Sequence, residues 1–379
     1  MKITAVDAFP LSFAVPPELQ VSLGIGRTIK RDAVLVRVAT DAGLVGWGES
    51  HAGRAPTVIA ELITSTLRPL ALGADADDID GLWQRVYGLQ LASHGTGAAA
   101  ALALSGLDMA LWDLRGKAAR QPLHALLGGA PRAIPAYAGG ISFGYGAPEA
   151  LVDEALAAQR RGYRAIKLRV GHDLESDIER VRAVRAACGA ALDILVDANC
   201  AYALETARRA RAAFAESGVG WLEEPFPAHD FRAYLALGAA GRVPIAAGEN
   251  HYLRFDFERL GDDGVVTVWQ PDLSKCGGLS EALRIAKLAE ARGIVIHPHT
   301  SVTGLNVAAT LHFLAAIPNA GYFEADHSRH NPLRTALCAP VVEVDAAGAV
   351  TPPSGHGLGV SVDETMLASF PVVRGAGYV

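Results

Sequence analysis

Closely spaced cysteines are missing from this chain of 379 residues. Its four cysteines, Cys188, Cys200, Cys276 and Cys338, form no CxxC pair and no zinc-like spacing. That excludes a thiolate metal cluster and fits a reducing compartment. A long basic run is also missing. Together with a formal net charge of −6, its absence argues against nucleic acid as a partner. Nor is there a long unbroken apolar segment. The most apolar stretch, residues 98–114, is interrupted by Ser105, Asp108 and Asp113, so it reads as a buried helix rather than a membrane span. The opening M-K-I-T-A-V-D-A-F-P lacks the apolar core of a signal peptide. The expectation is a cytoplasmic protein that engages neither nucleic acid nor membrane.

Apolar residues are plentiful. They make up 50% of the chain, enough for one barrel of about 250 residues and a smaller companion domain. Residues 1–50 alternate as antiparallel strands do, with D-A-G turning the chain before G-L-V-G-W-G-E. A Pro- and Gly-rich loop over residues 14–31 carries Arg27, Lys30 and Arg31 and reads as a lid. Helical periodicity follows over residues 57–70, 78–89 and 95–117. An α+β capping domain over residues 1–125 fits this pattern.

From residue 126 to about 345, short β-rich runs alternate with amphipathic stretches. Strands are expected at 134–137, 165–169, 193–197, 220–223, 244–249, 265–270, 294–297 and 322–324, with helices such as 148–161 and 205–217 between them. This is an α/β fold, a modified TIM (β/α) barrel. Residues 346–379 return to strand and turn signals and are expected to pack back on the capping domain and complete it.

Acidic residues close these strands on a fixed beat. Asp197 in D-I-L-V-D-A-N, Glu223 in G-W-L-E-E-P and Glu249 in P-I-A-A-G-E-N stand 26 residues apart. Strand C-termini are where barrel catalysis occurs. Carboxylates about 4 Å apart repel by roughly 4 kcal/mol at a protein-like dielectric. A divalent cation removes that cost, and all-oxygen ligation suits magnesium. Asp197, Glu223 and Glu249 therefore read as ligands of one magnesium ion. Later strands present Asp272, then His297 and His299, then Glu324.

The ordered set A-L-W-D-L-R-G-K, K-x-R, D-x-N, E-E-P, G-E-N, P-D-x-x-K-x-G-G, P-H-T and F-E resembles the mandelate racemase-like branch of the enolase superfamily over nearly the whole chain. The resemblance implies a metal-stabilised enediolate formed by removing the α-proton of a 2-hydroxy acid. It implies His299 as the base and Asp272 as the group that orients it. Glu324, protonated, would hydrogen-bond the substrate carboxylate, and Lys167 would place positive charge beside it. It also implies mobile lid loops and a homo-oligomer. Asn199 reads equally as a turn residue or a substrate contact, and Arg27 and Lys30 are lid candidates for substrate binding. Glu224 is expected to be a supporting or helix-start acid, His297 a structural histidine, and Lys275 an ion-pair partner. Cys200 and Cys276 read as packing residues.

One position departs from the family. Racemases of this branch carry a second lysine in K-x-K, where this chain has Arg169. With a reference pKa of about 12.5 or more, arginine is a poor base near neutrality. Dehydration needs only one histidine, which removes the α-proton and returns a proton to the departing 3-hydroxyl. The expected activity is magnesium-dependent dehydration of an aldonic or aldaric acid to a 2-keto-3-deoxy acid. The alternative is a racemase or epimerase of a small 2-hydroxy acid, with Arg169 as the second base.

Overall fold

A computed structural model describes residues 1–93 and 97–379. Strands β1 (Ile3–Ala14), β2 (Lys30–Thr40) and β3 (Val45–His51) form an antiparallel sheet in that order. Side chains on a strand alternate between faces, and β2 uses both. Val34, Val36 and Val38 pack among the helices of the cap, whereas Ala33 and Leu35 join the core shared with the barrel. The lid loop contains a small hairpin, Ser22–Leu23 paired with Gly26–Arg27.

Three helices cover the sheet: α1 (Pro56–Glu61), α2 (Ile79–Val86) and α3 (Ala98–Ala119). The helix expected over 57–70 is α1 continued through a π-helical stretch, Leu62–Leu67, into Arg68–Ala71. The expected start of α3 at Gly95 lies outside the described residues. V-G-W-G-E explains how α3 lies so close to β3. A Cβ at Gly46 would collide with the carbonyl of Ala110, and one at Gly48 with the carbonyl of Gly106. Glycine at both positions lets the helix backbone meet the strand backbone.

The barrel strands are β4 (Ile134–Gly139), β5 (Ala165–Arg169), β6 (Asp193–Asp197), β7 (Val219–Glu223), β8 (Ile245–Ala247), β9 (Val266–Trp269), β10 (Val295–Ile296) and β11 (Phe323–Asp326). They run in parallel in chain order from β4 to β10, with β11 beside β4. Between β10 and β11 the ring is bridged by Ile296 and Ala320. Helices α4 (Pro148–Arg160), α5 (Leu174–Cys188), α6 (Leu204–Glu216), α7 (Phe231–Leu237), α8 (Leu253–Asp263), α9 (Leu279–Glu290) and α10 (Gly304–Ala316) fill the crossovers. The strand expected at 244–249 is shorter than its sequence signal. Gly248, at φ 153°, turns the chain and leaves Glu249 beyond the strand.

The C-terminal segment first adds β12 (Ala349–Val350), antiparallel to the start of β4. It then reaches the cap. The Leu358 N–H donates to Asp113 at 2.9 Å, and the Phe370 carbonyl accepts from the Ser12 N–H at 3.2 Å. Among the described residues no helix is long and apolar enough to cross a membrane.

Candidate active site

Period-two alternation puts charge inside the barrel. Tyr137, Ala165, Leu195, Trp221 and Ala246 form an inner apolar layer, while intervening residues such as Ile166, Leu168, Val196 and Leu222 pack outward. Two residues further along the same strands the inner face becomes ionic. Lys167 follows Ala165, Asp197 follows Leu195 and Glu223 follows Trp221. The mouth is thus built on a hydrophobic floor by rigid strand ends.

Lys167 is completely buried, 2.8 Å from Glu223, 3.0 Å from Glu324 and 3.6 Å from Asp197. Burial disfavours its charge, but these carboxylates outweigh that and hold its pKa well above normal. Arg169 pairs with Asp197 and donates to the Gly140 carbonyl. Asn199 supports the same acid, its backbone N–H 2.8 Å and its Nδ2 3.1 Å from the Asp197 oxygens. Glu223 also accepts from Gln270 at 2.8 Å and from the Trp221 indole at 3.2 Å. Glu249 lies 3.3 Å from Lys275 and 3.2 Å from His299.

Among the described residues, no three His, Cys, Asp or Glu side chains form a ready-made metal cage. Cations of the chain itself stand on the acids. Carboxyl groups nonetheless outnumber the permanent cations. Asp197, Glu223, Glu224, Glu249, Asp272 and Glu324 face three permanent cations, Lys167, Arg169 and Lys275. Burial, only partly offset by Lys167 and reinforced by Asp197 and the other acids, raises Glu223 to about 7. Burial beside Glu249 raises Glu224 well above the carboxylate range. A crowded, largely buried all-oxygen donor set whose carboxyl groups raise one another's pKa fits a hard divalent cation.

His299 and Asp272 form a dyad, with Nδ1 and Oδ2 2.7 Å apart. Burial opposes an imidazolium here, but Glu249, Glu324 and Asp272 outweigh it and raise His299 to about 9. Asp272 is fixed by Ser301 at 2.6 Å, Ser274 at 2.7 Å and Asn306 at 3.0 Å. Glu324 departs from the neutral acid that the resemblance implies. Although burial favours the protonated form, Lys167, His299 and Arg169 prevail and lower its pKa, and the Gly140 N–H donates to it at 3.0 Å.

Above this ionic layer opens a pocket of about 210 Å³. Arg169, Asn199, Glu249, Lys275 and His299 reach its walls; Asp197, Glu223, Lys167, Asp272 and Glu324 lie beneath them, fully buried. Lys30 lines the pocket but is already held by Asp32 at 3.0 Å and the Val373 carbonyl at 2.7 Å. Arg27 corrects the lid expectation. It is exposed on the hairpin, away from the pocket walls, because its backbone pairs with Val379 at 2.7 and 3.0 Å.

Glu224 reaches the pocket wall beside Glu249. Its φ of 38° breaks strand alternation, so Glu223 and Glu224 both turn toward the mouth, and Asn250 holds Glu224 at 2.9 and 3.1 Å. Glu49, the last letter of V-G-W-G-E, went unread as a site residue. Its carboxylate crosses from the cap to accept from the N–H groups of Val302 and Thr303 at 3.1 Å and the Thr303 hydroxyl at 2.5 Å. It thereby anchors the turn whose Ser301 bonds Asp272. His297 packs against Trp221 and accepts from the Tyr322 N–H at 2.9 Å, a structural placement. Lys275 makes the expected ion pair.

Known proteins match this chain along its length. Residues 11–128 match the family model of the mandelate racemase / muconate lactonizing enzyme N-terminal domain, and residues 150–366 that of the enolase C-terminal domain-like family. A D-galactarolactone cycloisomerase from Agrobacterium fabrum is 34% identical, over 98% of this chain and 99% of its own. An arabinonate dehydratase from Saccharolobus solfataricus is 33% identical, over 89% and 90%. A solved member of the enolase superfamily from Polaromonas sp. JS666 is 54% identical, with TM-score 0.97 over 100% of both chains. A Streptomyces coelicolor racemase solved with bound magnesium is 31% identical, with TM-score 0.88 over 98% and 100%.

Proposed function

The chain belongs to the enolase superfamily, in its mandelate racemase/muconate lactonizing enzyme branch, and from that premise we propose that it is a magnesium-dependent acid-sugar dehydratase. The observation that carries the reading is the pairing of one oriented base, His299 on Asp272, with an Arg169 tied down by Asp197. Burial works against the charge on Arg169, but Asp197 and the neighbouring acids push its pKa above even the usual arginine value. A racemase needs a proton carrier on each face of carbon 2, and a guanidinium held in this way is not one. Relatives named for an acid-sugar dehydratase and an acid-sugar lactone cycloisomerase support the substrate class.

Asp197, Glu223 and Glu249 would hold the magnesium ion, which supplies positive charge to the substrate carboxylate when bound. His299 removes the proton from carbon 2. Its Nδ1–H donates to Asp272, which fixes the tautomer and leaves Nε2, 3.2 Å from Glu249, as the nitrogen that takes the proton. Charge compensation at Glu249 removes the chief carboxylate that raises His299 and returns the imidazole toward its neutral, basic form. Negative charge from the broken C–H bond spreads onto the carboxylate, where Lys167 stands. An incoming carboxylate beside Glu324 raises the Glu324 pKa and favours the protonated form that donates to it. His299 then passes its proton to the 3-hydroxyl, which departs as water. The resulting enol ketonises to the 2-keto-3-deoxy acid.

The test is incubation with magnesium and a panel of aldonic and aldaric acids, followed by assay of 2-keto acid. The reading expects at least one acid sugar to be converted, with turnover abolished by His299→Asn. Turnover that survives His299→Asn, or conversion of none of the panel, contradicts it.

A further inference from the structure

One wall of the pocket carries more positive charge than its own acids neutralise. Four cations, Lys30, Arg31, Arg54 and Arg334, line it with two carboxylates, Asp32 and Asp326. Lys30 and Asp32 are matched at 3.0 Å. Asp326 serves two guanidinium groups at once, Arg31 and Arg334, each at 3.5 Å. Arg31 is 8% exposed, and its Nε has no hydrogen-bond partner. An orphaned donor at such burial is costly. Arg54 makes no ion pair among the described residues; its guanidinium lies 4.8 Å from the ring centre of Tyr378.

Arg54 is exposed, but the backbone around it is well defined. Arg54 has a φ of 66°, an uncommon conformation for a non-glycine residue and one that structures keep at ligand clamps. Tyr378 is held by backbone pairing with the lid, where the Ile29 N–H donates to the Gly377 carbonyl at 3.0 Å and Thr28 bridges Tyr378. Lid, C-terminal tail and the loop after β3 therefore meet at Arg54.

We propose that Arg54 and Arg31 form a subsite for a second carboxylate of the substrate, so that the dehydrated acid is an aldaric acid, carboxylate at both ends, rather than an aldonic acid. The inference rests on the acid-sugar reading and deepens it. A planar guanidinium fork matches a carboxylate in two-pronged fashion, and two surplus positive charges suit one added anionic group plus a partly screened remainder. The first carboxylate of the substrate goes to the ionic layer near Lys167; the second goes to Arg54 and Arg31, with the hydroxylated carbons between.

The experiment measures equilibrium binding, by titration calorimetry with magnesium present, to the His299→Asn protein, which holds substrate without turnover. The probes are five- and six-carbon aldaric acids, the aldonic acids of the same configuration, and 6-phosphogluconate. The expected result is at least tenfold tighter binding of the preferred aldaric acid than of its aldonic counterpart. Arg54→Gln should collapse that ratio to within about twofold, with the loss falling mainly on the aldaric acid, and Arg54→Lys should restore part of it. A ratio near one, an equal loss for both classes in Arg54→Gln, or a preference for the phosphorylated acid overturns the proposal. Turnover of aldonic acids alone sinks it while leaving the dehydratase reading intact. Absence of turnover with every acid sugar sinks the dehydratase reading, yet the binding ratio still decides the subsite.

Discussion

His299 and Asp272 meet through Nδ1 and Oδ2 at 2.7 Å, although 27 residues separate them along the chain. In the proposed reaction this contact orients the imidazole as the base, because the carboxylate fixes which nitrogen carries the proton. Removing the base by His299→Asn is expected to lower kcat by roughly 10²- to 10⁴-fold while substrate affinity changes by only a few fold. Steady-state kinetics beside titration calorimetry separate the two. An equal loss of binding and rate would mean that His299 holds substrate rather than moving its proton.

The crowding of carboxyl groups beneath the pocket predicts metal dependence. Chelation should abolish turnover and magnesium should restore it. Magnesium at about 100 times its Kd should add roughly 2.7 kcal/mol to stability, visible as a higher Tm. Glu223→Gln removes one carboxylate of the set and should lose most of that increment. A Glu223→Gln protein stabilised by magnesium as fully as the parent would remove Glu223 from the ligand set.

Backbone closeness between α3 and β3 predicts a sharp steric limit. Gly48→Ala drives a methyl group into the Gly106 carbonyl, and overpacking of this kind costs about 1–3 kcal/mol. Chemical denaturation should show that loss. Gly43→Ala makes a useful contrast, since nothing lies within 4 Å of its Cβ position and its cost comes only from the positive φ of 76°.

Asp108 predicts a pH dependence. Burial at the contact between α3 and α9 pushes its carboxyl up to about 7, and its Oδ1 has no partner. An unfolded aspartate titrates near 3.9. Between those values the folded chain keeps a proton that the unfolded chain has released. Stability is therefore full below about pH 4, falls as pH rises to about 7 and then levels off. Asp108→Asn copies the protonated form and does not titrate. It should gain on the parent by on the order of 4 kcal/mol between pH 4 and pH 8, read from denaturation at each pH. A gap that stays constant across that range would contradict the assignment.

The sequence displayed the barrel because its signals are local. A-I-K-L-R and D-I-L-V-D give β5 and β6 to the residue, since a short apolar run whose charges all fall on one phase of the alternation has one reading in a parallel sheet. The ionic layer was legible for the same reason. Glu224 was not, because its exposure to the pocket depends on a positive φ that no periodicity encodes. Glu49 was missed because its partners, Val302 and Thr303, are more than 250 residues away, and only the docking of cap on barrel brings them together. Arg27 reads as a lid candidate for substrate binding, whereas backbone pairing with the C-terminal tail decides its position.

Proton NMR in D2O, with magnesium and the acid sugar that the protein converts, tests the central claim most directly. One-base dehydration predicts loss of the carbon-2 proton together with a new 3-deoxy methylene signal, and no accumulation of the carbon-2 epimer. Deuterium entering carbon 2 in both configurations without loss of the 3-hydroxyl would show a second proton carrier opposite His299, and the dehydratase account would be wrong.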